Sequence, residues 1–515
     1  MNDLDVSAVG DGLACQQLFS QGTGLTFDDV SLLPPFCAGV PNRIVLETFL
    51  ARDFPLHCPF VSSPMDTVTE WKTAVHMALS GGIGIIHFNL TPEDAAAQVR
   101  RVKRFRMGFI FEPLCRKPSD PMSEVDRVKT DHGFSTILIT ENGTPRTKLL
   151  GMVTKGHVAL EQDKTRPLQD VMIPLRLLRT CLATDVRSLR DAREILRQEP
   201  ALSKLPIMNT NGSVHALTTR DDVVKGGEYP CSLLDANEQL RVGAAVSTQE
   251  EDALRVDLLL EAGVDVLVVD SAQGGTDYAV RRIQEIKRKR ENLPVIAGNV
   301  VTPAQAKPLV DAGADGLRVG MGSGSICTTQ DVVGAGRAQL SAVYHLSRFA
   351  RTCMSPIPII SDGGIRRTAD IVKALACGAS TVMLGRFIAG CEETPGDEVR
   401  DAQERRWKRY RGMGSPGAIR DGGLRRYGRS APDGQLVAQG VEGWVPAEGS
   451  LDRRLPETAN ELRKALETYG CASIEELHER VRVGDIRFEL RSPAAREEGH
   501  PHDIVFRPFS ASWVS

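Results

Sequence analysis

The run Val264-Asp-Val-Leu-Val-Val-Asp270 is almost continuously apolar and ends on a carboxylate. That is the pattern of a short strand buried on both faces whose C-terminal end reaches a polar rim. Seven other runs share it: Pro59-Phe-Val-Ser-Ser-Pro64, Gly82-Ile-Gly-Ile-Ile-His87, Val242-Gly-Ala-Ala-Val246, Leu293-Pro-Val-Ile-Ala-Gly-Asn299, Gly316-Leu-Arg-Val-Gly320, Ile357-Pro-Ile-Ile-Ser-Asp362 and Ser380-Thr-Val-Met-Leu-Gly385. Amphipathic helical patterns separate them, and most of the runs end in Gly, Ser, Asn or Asp. Eight such strands with repeated crossovers predict an α/β fold, a closed (β/α)8 TIM barrel with its site at the C-terminal rim. A doubly wound open sheet gives the same alternation and is the alternative.

The strand series is interrupted between His87 and Val242, where a weak internal repeat stands. Leu149-Leu-Gly-Met-Val-Thr-Lys-Gly-His-Val158 echoes Val214-His-Ala-Leu-Thr-Thr-Arg-Asp-Asp-Val223, with Val171-Met-Ile-Pro174 between them. This reads as a tandem insert over residues 110–231, dividing the barrel into 1–109 and 232–515, with the flap and C-terminal segment in the latter. The insert resembles a pair of cystathionine-β-synthase (CBS) modules, and the resemblance implies purine nucleotides as its ligands; a purely structural spacer is the plainer reading. Asp222 stands where such modules place a ribose-binding acid. The first copy has His157 there, and an imidazole cannot make the same bidentate acceptor contact.

Composition sets the frame. The chain has 515 residues, 41% hydrophobic and 25% charged, with a formal net charge of -3, which fits two or three globular domains and gives no electrostatic reason to expect nucleic acid or an anionic membrane as partner. Eleven cysteines with no Cys-x-x-Cys pair argue against a disulfide framework and a thiolate zinc site. The first twenty residues are polar and acidic, and no apolar stretch reaches bilayer length. The expectation is a cytoplasmic protein; the terminal Trp-Val-Ser does not match a peroxisomal address.

One loop carries the chemistry. Gly320-Met-Gly-Ser-Gly-Ser-Ile-Cys-Thr-Thr-Gln330 sets Cys327 among glycines that let a backbone approach an anion and serines that add hydroxyl donors. It reads as a phosphate cradle with a reactive thiol, or more plainly as a Gly/Ser loop with an inert cysteine. Ile360-Ser-Asp-Gly-Gly-Ile365 ends a strand with a carboxylate suited to a ribose diol and a glycine N–H suited to a phosphate, and Met383-Leu-Gly-Arg386 follows on the next strand. Phosphate sites in such barrels lie after strands seven and eight.

These runs, together with Leu25-Thr-Phe-Asp-Asp29, Val61-Ser-Ser-Pro-Met-Asp-Thr-Val-Thr-Glu70, Gly81-Gly-Ile-Gly84, Ala297-Gly-Asn-Val-Val-Thr302, Tyr410-Arg-Gly-Met-Gly-Ser415 and Val437-Ala-Gln-Gly440, resemble the inosine-5'-monophosphate (IMP) dehydrogenase family of eukaryotic type over residues 10–495. The resemblance implies NAD-dependent oxidation of IMP to XMP through a covalent cysteine adduct, a homotetramer that pairs into octamers through the insert, and a monovalent cation, K+. It assigns Cys327 as nucleophile and Thr329 to the reacting base. Ser63, Ser325, Gly364, Gly385 and Tyr410 would hold the phosphate, Asp362 the ribose, and Met413, Gly414 and Gln439 the base. Asp270, Ser271, Asn299, Arg318 and Gly320 would line the nicotinamide half. Arg426 and Tyr427, in the flap-like Gly422-Gly-Leu-Arg-Arg-Tyr-Gly-Arg429, would activate water, and carbonyls of Gly322, Gly324 and Cys327 would hold the cation.

Three positions depart from the family pattern. Arg386 replaces the small serine after Leu-Gly, where a guanidinium can pair with the phosphate or fill its cradle; His87-Phe-Asn89 replaces His-His-Asn; and Glu497-Glu-Gly-His-Pro-His502 replaces the segment that completes the cation site. Two rival functions stand beside the dehydrogenase. A GMP reductase using NADPH is favoured by Cys327-Thr-Thr329 and Gln339-Leu-Ser-Ala-Val343, against Gln330, Gln439 and the Arg426–Tyr427 pair. A non-catalytic nucleotide-binding paralogue is favoured by Arg386 alone.

Overall fold

The computed structural model describes residues 11–500 apart from positions 38, 40, 106–107, 112, 133–135, 187 and 424–436. Eight parallel strands close into a barrel: β1 (Phe60–Ser62), β2 (Ile83–Ile86), β3 (Gly243–Val246), β4 (Val266–Asp270), β5 (Val295–Val300), β6 (Gly316–Val319), β7 (Ile359–Asp362) and β8 (Thr381–Leu384), with β8 pairing back onto β1. Each lies within one of the eight apolar runs, β5 alone extending one residue beyond its run to Val300, and the eight close on themselves, so the closed barrel prevails over the open sheet. All but the last residue of β7 are buried, as strands covered by an interior and a helical layer must be.

Crossover helices begin where the sequence supplies caps. Thr302 accepts from the Gln305 N–H, with Pro303 at the first helical position, and Thr276 accepts from the Ala279 N–H. Parallel register sets the rim: Asp270 is level with Gly298, Gly298 with Arg318, and Asp362 with Met383. Side chains from four strand ends therefore meet above the barrel. After β8 the chain adds an antiparallel sheet in which Arg406–Arg411 pairs with both Glu398–Arg400 and Glu442–Pro446.

A second compact unit spans Arg104–Leu240, wider at both ends than the tandem insert read over residues 110–231. It contains two four-stranded sheets. One has the order 115–116, 137–140, 149–153, 173–174; the other 181–182, 204–208, 214–219, 109–110. In each, the first pair is parallel and the next two are antiparallel. The two echoing segments thus each supply the third strand of a sheet with the same strand directions, the fourth strand coming later in the chain in the first sheet and earlier in the second. Separate apolar clusters support the sheets, one around Leu205, Ile207 and Leu196 and another around Ile137, Ile139 and Val153. Among the described residues no helix is long and apolar enough to cross a membrane.

Candidate active site

The cysteine loop leaves β6 through Gly320, at φ +152°, where an added Cβ would stand 1.9 Å from the Asp362 carbonyl oxygen. Only glycine fits between β6 and β7 there. Farther along, the Cys327 N–H donates to the Gly324 carbonyl at 3.0 Å, the Thr328 N–H to Gln439 O at 3.1 Å and the Val441 N–H to Ile326 O at 2.9 Å. Segment 437–441 is thereby laced to the loop. Cys327 is partly exposed, with its Sγ 3.0 Å from the Thr329 hydroxyl.

The loop, the strand ends and Tyr410 enclose a cavity of about 500 Å³. It gathers Ser63, Asn299, Arg318, Gly320, Gly322, Gly324, Ser325, Cys327, Thr329, Asp362, Gly364, Gly385, Arg386, Tyr410, Met413 and Gln439, all singled out by sequence. Ser271 and Gly414 do not line it. Arg426 and Tyr427 lie outside the described residues. Asp270 is fully buried and stands behind the wall, paired with Arg318 Nη1 at 2.7 Å.

Arg318 is the hub of the polar wall. Its Nε donates to Asp362 Oδ2 at 2.9 Å, and Asn299 Nδ2 donates to the same oxygen at 2.8 Å and to Gly320 O at 2.7 Å. Asp362 is thus fixed through one oxygen, while Oδ1 makes no hydrogen bond among the described residues and is available to a diol. A buried ion pair of this kind is a weak source of stability, yet costly to break because the remaining charge is stranded. Its effect is to orient Asp362. The Asn299 amide oxygen is buried without a hydrogen-bond partner, a vacant acceptor of the kind a carboxamide N–H satisfies.

At the other end, β1 and β8 meet through the Ser63 N–H and the Leu384 carbonyl at 3.0 Å. A Cβ on Gly385 would come within 3.2 Å of the Tyr410 hydroxyl, and Gly364 has φ +79°. Tyr410 is buried, which pushes its phenol up to about 12 even though Ser325 hydrogen-bonds it, so it stays a neutral hydrogen-bonding group through the physiological range. Arg386 lines the same end, and its Nη1 is 4.0 Å from Glu448.

Sequence reasoning missed the supports. Asp66 takes Arg411 Nη2 at 2.6 Å and Nε at 3.1 Å, and also accepts from Asn89 Nδ2 at 2.8 Å. This fixes the strand that presents Tyr410 and leads to Met413, and gives Asn89 of the departing His87-Phe-Asn89 run a structural task. Gln339 is buried, accepting from Ser323 Oγ at 2.9 Å and donating to Val319 O at 2.8 Å. Its amide ties the loop to β6 whichever reaction is run. The signal for all three was their place in quoted runs, Asp66 in Ser-Ser-Pro-Met-Asp, Arg411 in Tyr410-Arg-Gly-Met-Gly-Ser415 and Gln339 in Gln339-Leu-Ser-Ala-Val343, but their partners were not legible until the fold brought them near.

For the cation, the Gly322 carbonyl accepts from Gln330 Nε2 at 2.8 Å and the Gly324 carbonyl from Cys327 N. Each oxygen retains a second lone pair, so the carbonyls fit a hard cation as part of a donor set. Among the described residues no cluster of His, Cys, Asp and Glu could hold a metal.

A closed parallel barrel with a glycine-lined cavity and a thiol at its rim is the architecture of a class of purine-nucleotide oxidoreductases. The chain belongs to the IMP dehydrogenase / GMP reductase family, whose domain model matches residues 24–502. It is similar to an inosine-5'-monophosphate dehydrogenase of Schizosaccharomyces pombe, 44% identical over 499 residues (95% of this chain, 94% of the relative), and to one of Caenorhabditis elegans, 40% identical over 521 residues (98% and 97%). Among solved structures it resembles a GMP reductase of Trypanosoma brucei in complex with guanosine 5'-monophosphate, with TM-score 0.82 and 35% identity over 94% of this chain and 98% of that one.

Proposed function

We propose that the protein oxidises IMP to XMP with NAD, through a covalent adduct at Cys327. The observation that carries this reading is the placement of Cys327, 3.0 Å from Thr329, in one cavity with Asp362, Tyr410 and the glycine cradle. Ser63, Ser325, Gly364, Gly385, Tyr410 and Arg386 hold the phosphate, Asp362 Oδ1 takes the ribose diol, and Met413, Gly414 and Gln439 face the base. Cys327 Sγ bonds to C2 of the purine, and Thr329 exchanges a proton with the reacting centre. NAD, held on the side of the cavity lined by Asn299, Arg318 and Gly320, would supply the acceptor for the hydride that leaves C2. Asn299 orients the carboxamide through its vacant oxygen; Arg318 and Gly320 line that half, and Asp270 and Ser271 act from behind it. Water then adds at C2 as the sulfur–carbon bond breaks, with Arg426 and Tyr427 activating it. Carbonyls of Gly322, Gly324 and Cys327 contribute to a K+ site that shapes the loop.

The insert binds purine nucleotides in the manner of CBS modules, and the active form is a cytoplasmic tetramer that pairs into octamers. A second reading, GMP reductase, is favoured by the likeness to the Trypanosoma brucei enzyme and by the Cys327-Thr-Thr329 run.

Purified protein is mixed with IMP plus NAD and, separately, with GMP plus NADPH, and the reduced-nicotinamide absorbance is followed. A rise in the first mixture is the expected result. A fall in the second, with no rise in the first, makes the protein a reductase, and silence in both makes it a binding paralogue.

A further inference from the structure

Among the described residues, four guanidinium groups line the cavity: Arg318, Arg337, Arg366 and Arg386. Three face carboxylates. Arg318 holds Asp270 and Asp362, Arg366 reaches Asp28 at 2.7 Å and Asp370 at 3.4 Å, and Arg386 stands 4.0 Å from Glu448. Arg337 has no carboxylate within ion-pair distance among the described residues. Its Nη1 donates to the Val301 carbonyl at 2.8 Å and its backbone N–H to the Met321 carbonyl at 3.2 Å. Burial alone pulls its guanidinium below the usual arginine range, with no acid opposing it, and burial together with the Arg337 and Arg348 charges pulls the nearby His345 imidazole down. A partly buried cation without a counterion is costly, and a bound anion offsets that cost.

The anchors of Arg337 decide which anion. Val301 follows β5, two residues after Asn299, and Met321 opens the cysteine loop after Gly320, so Arg337 belongs to the side of the cavity with the vacant Asn299 oxygen. Arg386, Gly385 and Tyr410 belong to the β8 side. With Nη1 tied to a carbonyl, Nη2 and Nε remain for a bidentate contact with an oxyanion.

We propose that Arg337 binds the pyrophosphate of the dinucleotide and so positions the cofactor whose nicotinamide faces Cys327. The proposal rests on the oxidoreductase reading above. It names a pyrophosphate anchor that is sequence-silent, since Arg337 lies in Gly336-Arg-Ala338, outside every quoted motif.

The test is calorimetric titration, with NAD and with nicotinamide riboside, which lacks phosphate, of the full-length protein saturated with IMP and carrying Cys327→Ser in every sample so that binding is read without turnover. Arg337→Gln is expected to weaken NAD binding about tenfold or more, about 1.4 kcal/mol, while leaving riboside and IMP binding within about twofold, the scatter of indirect effects. Arg337→Lys, which keeps the charge, is expected to recover much of the loss. Equal losses for NAD and riboside, or no loss for either, overturn the proposal. The titrations with Arg337 intact report separately on the function: protein with Arg337 intact that takes NADPH with GMP instead of NAD with IMP refutes the dehydrogenase, and the same Arg337→Gln comparison is then read with NADPH. Protein with Arg337 intact that binds neither dinucleotide refutes both.

Discussion

The barrel and the inserted unit use the same device, a polar residue at or just beyond the end of a strand, to different ends. At the barrel rim Asp362 is held by Arg318 and Asn299 through one oxygen, and the other is left for a ligand. In the insert, the two copies of the repeat diverge at one position. Asp222 accepts from the Thr219 hydroxyl through Oδ2 at 2.6 Å, leaving Oδ1 without a partner among the described residues. His157 instead accepts the Thr154 N–H through Nδ1 at 3.0 Å, and burial together with Lys204 lowers its pKa, so the ring stays neutral. The first copy spends its side chain on capping its own helix; in the second, Thr219 takes the helix N–H and Asp222 takes only a hydroxyl, through one oxygen. Matched strand directions therefore do not carry matched chemistry.

The comparison is most sharply tested at Cys327. Replacing it with Ser is expected to lower turnover at least about a thousandfold while nucleotide binding persists, because the loop geometry is set by backbone contacts and glycines. Intact-mass measurement during turnover should find the nucleotide adduct on wild type and none on the variant; near-normal turnover by Cys327→Ser would remove the nucleophile from the account. Arg426→Ala should slow steady-state turnover by about a hundredfold or more, the usual contribution of a positioned acid or base, while a pre-steady-state burst of NADH remains. Loss of the burst together with turnover would place Arg426 in hydride transfer instead.

A smaller effect is expected at the departing position. Arg386→Ser should weaken IMP binding by about 1.5–3 kcal/mol, the contribution of a hydrogen bond to a charged group, read by titration of both proteins. Tighter binding by the variant would show that the guanidinium fills the cradle. The smallest effect belongs to the insert: replacing residues 104–240 with a short Gly/Ser linker should leave activity within about twofold, because every proposed catalytic residue lies outside it. Calorimetry of the intact protein with ATP and GTP should find one strong nucleotide site in the insert at most, and two tight sites there would contradict the His157 argument.

The apolar runs and their polar ends were enough to place all eight barrel strands, since burial on both faces leaves a pattern that local sequence displays. Most of the cavity was legible for a related reason: glycines, a lone cysteine and strand-end acids are residue types whose chemistry has few other uses in that order. What sequence could not decide was which charges would meet. Asp270 read as a cofactor contact, and in the fold it is buried behind Arg318, because a strand's register settles whether its last side chain points at a ligand or at a neighbour. Arg411, Gln339 and Arg337 were ordinary polar residues until Asp66, Ser323 and Val301 were brought beside them from distant parts of the chain. Periodicity and composition are local, so the sequence by itself determined the barrel and its reactive loop. Ion pairing depends on distances between residues far apart in the chain, so only the tertiary structure decided that Arg318 serves two carboxylates and Arg337, among the described residues, none.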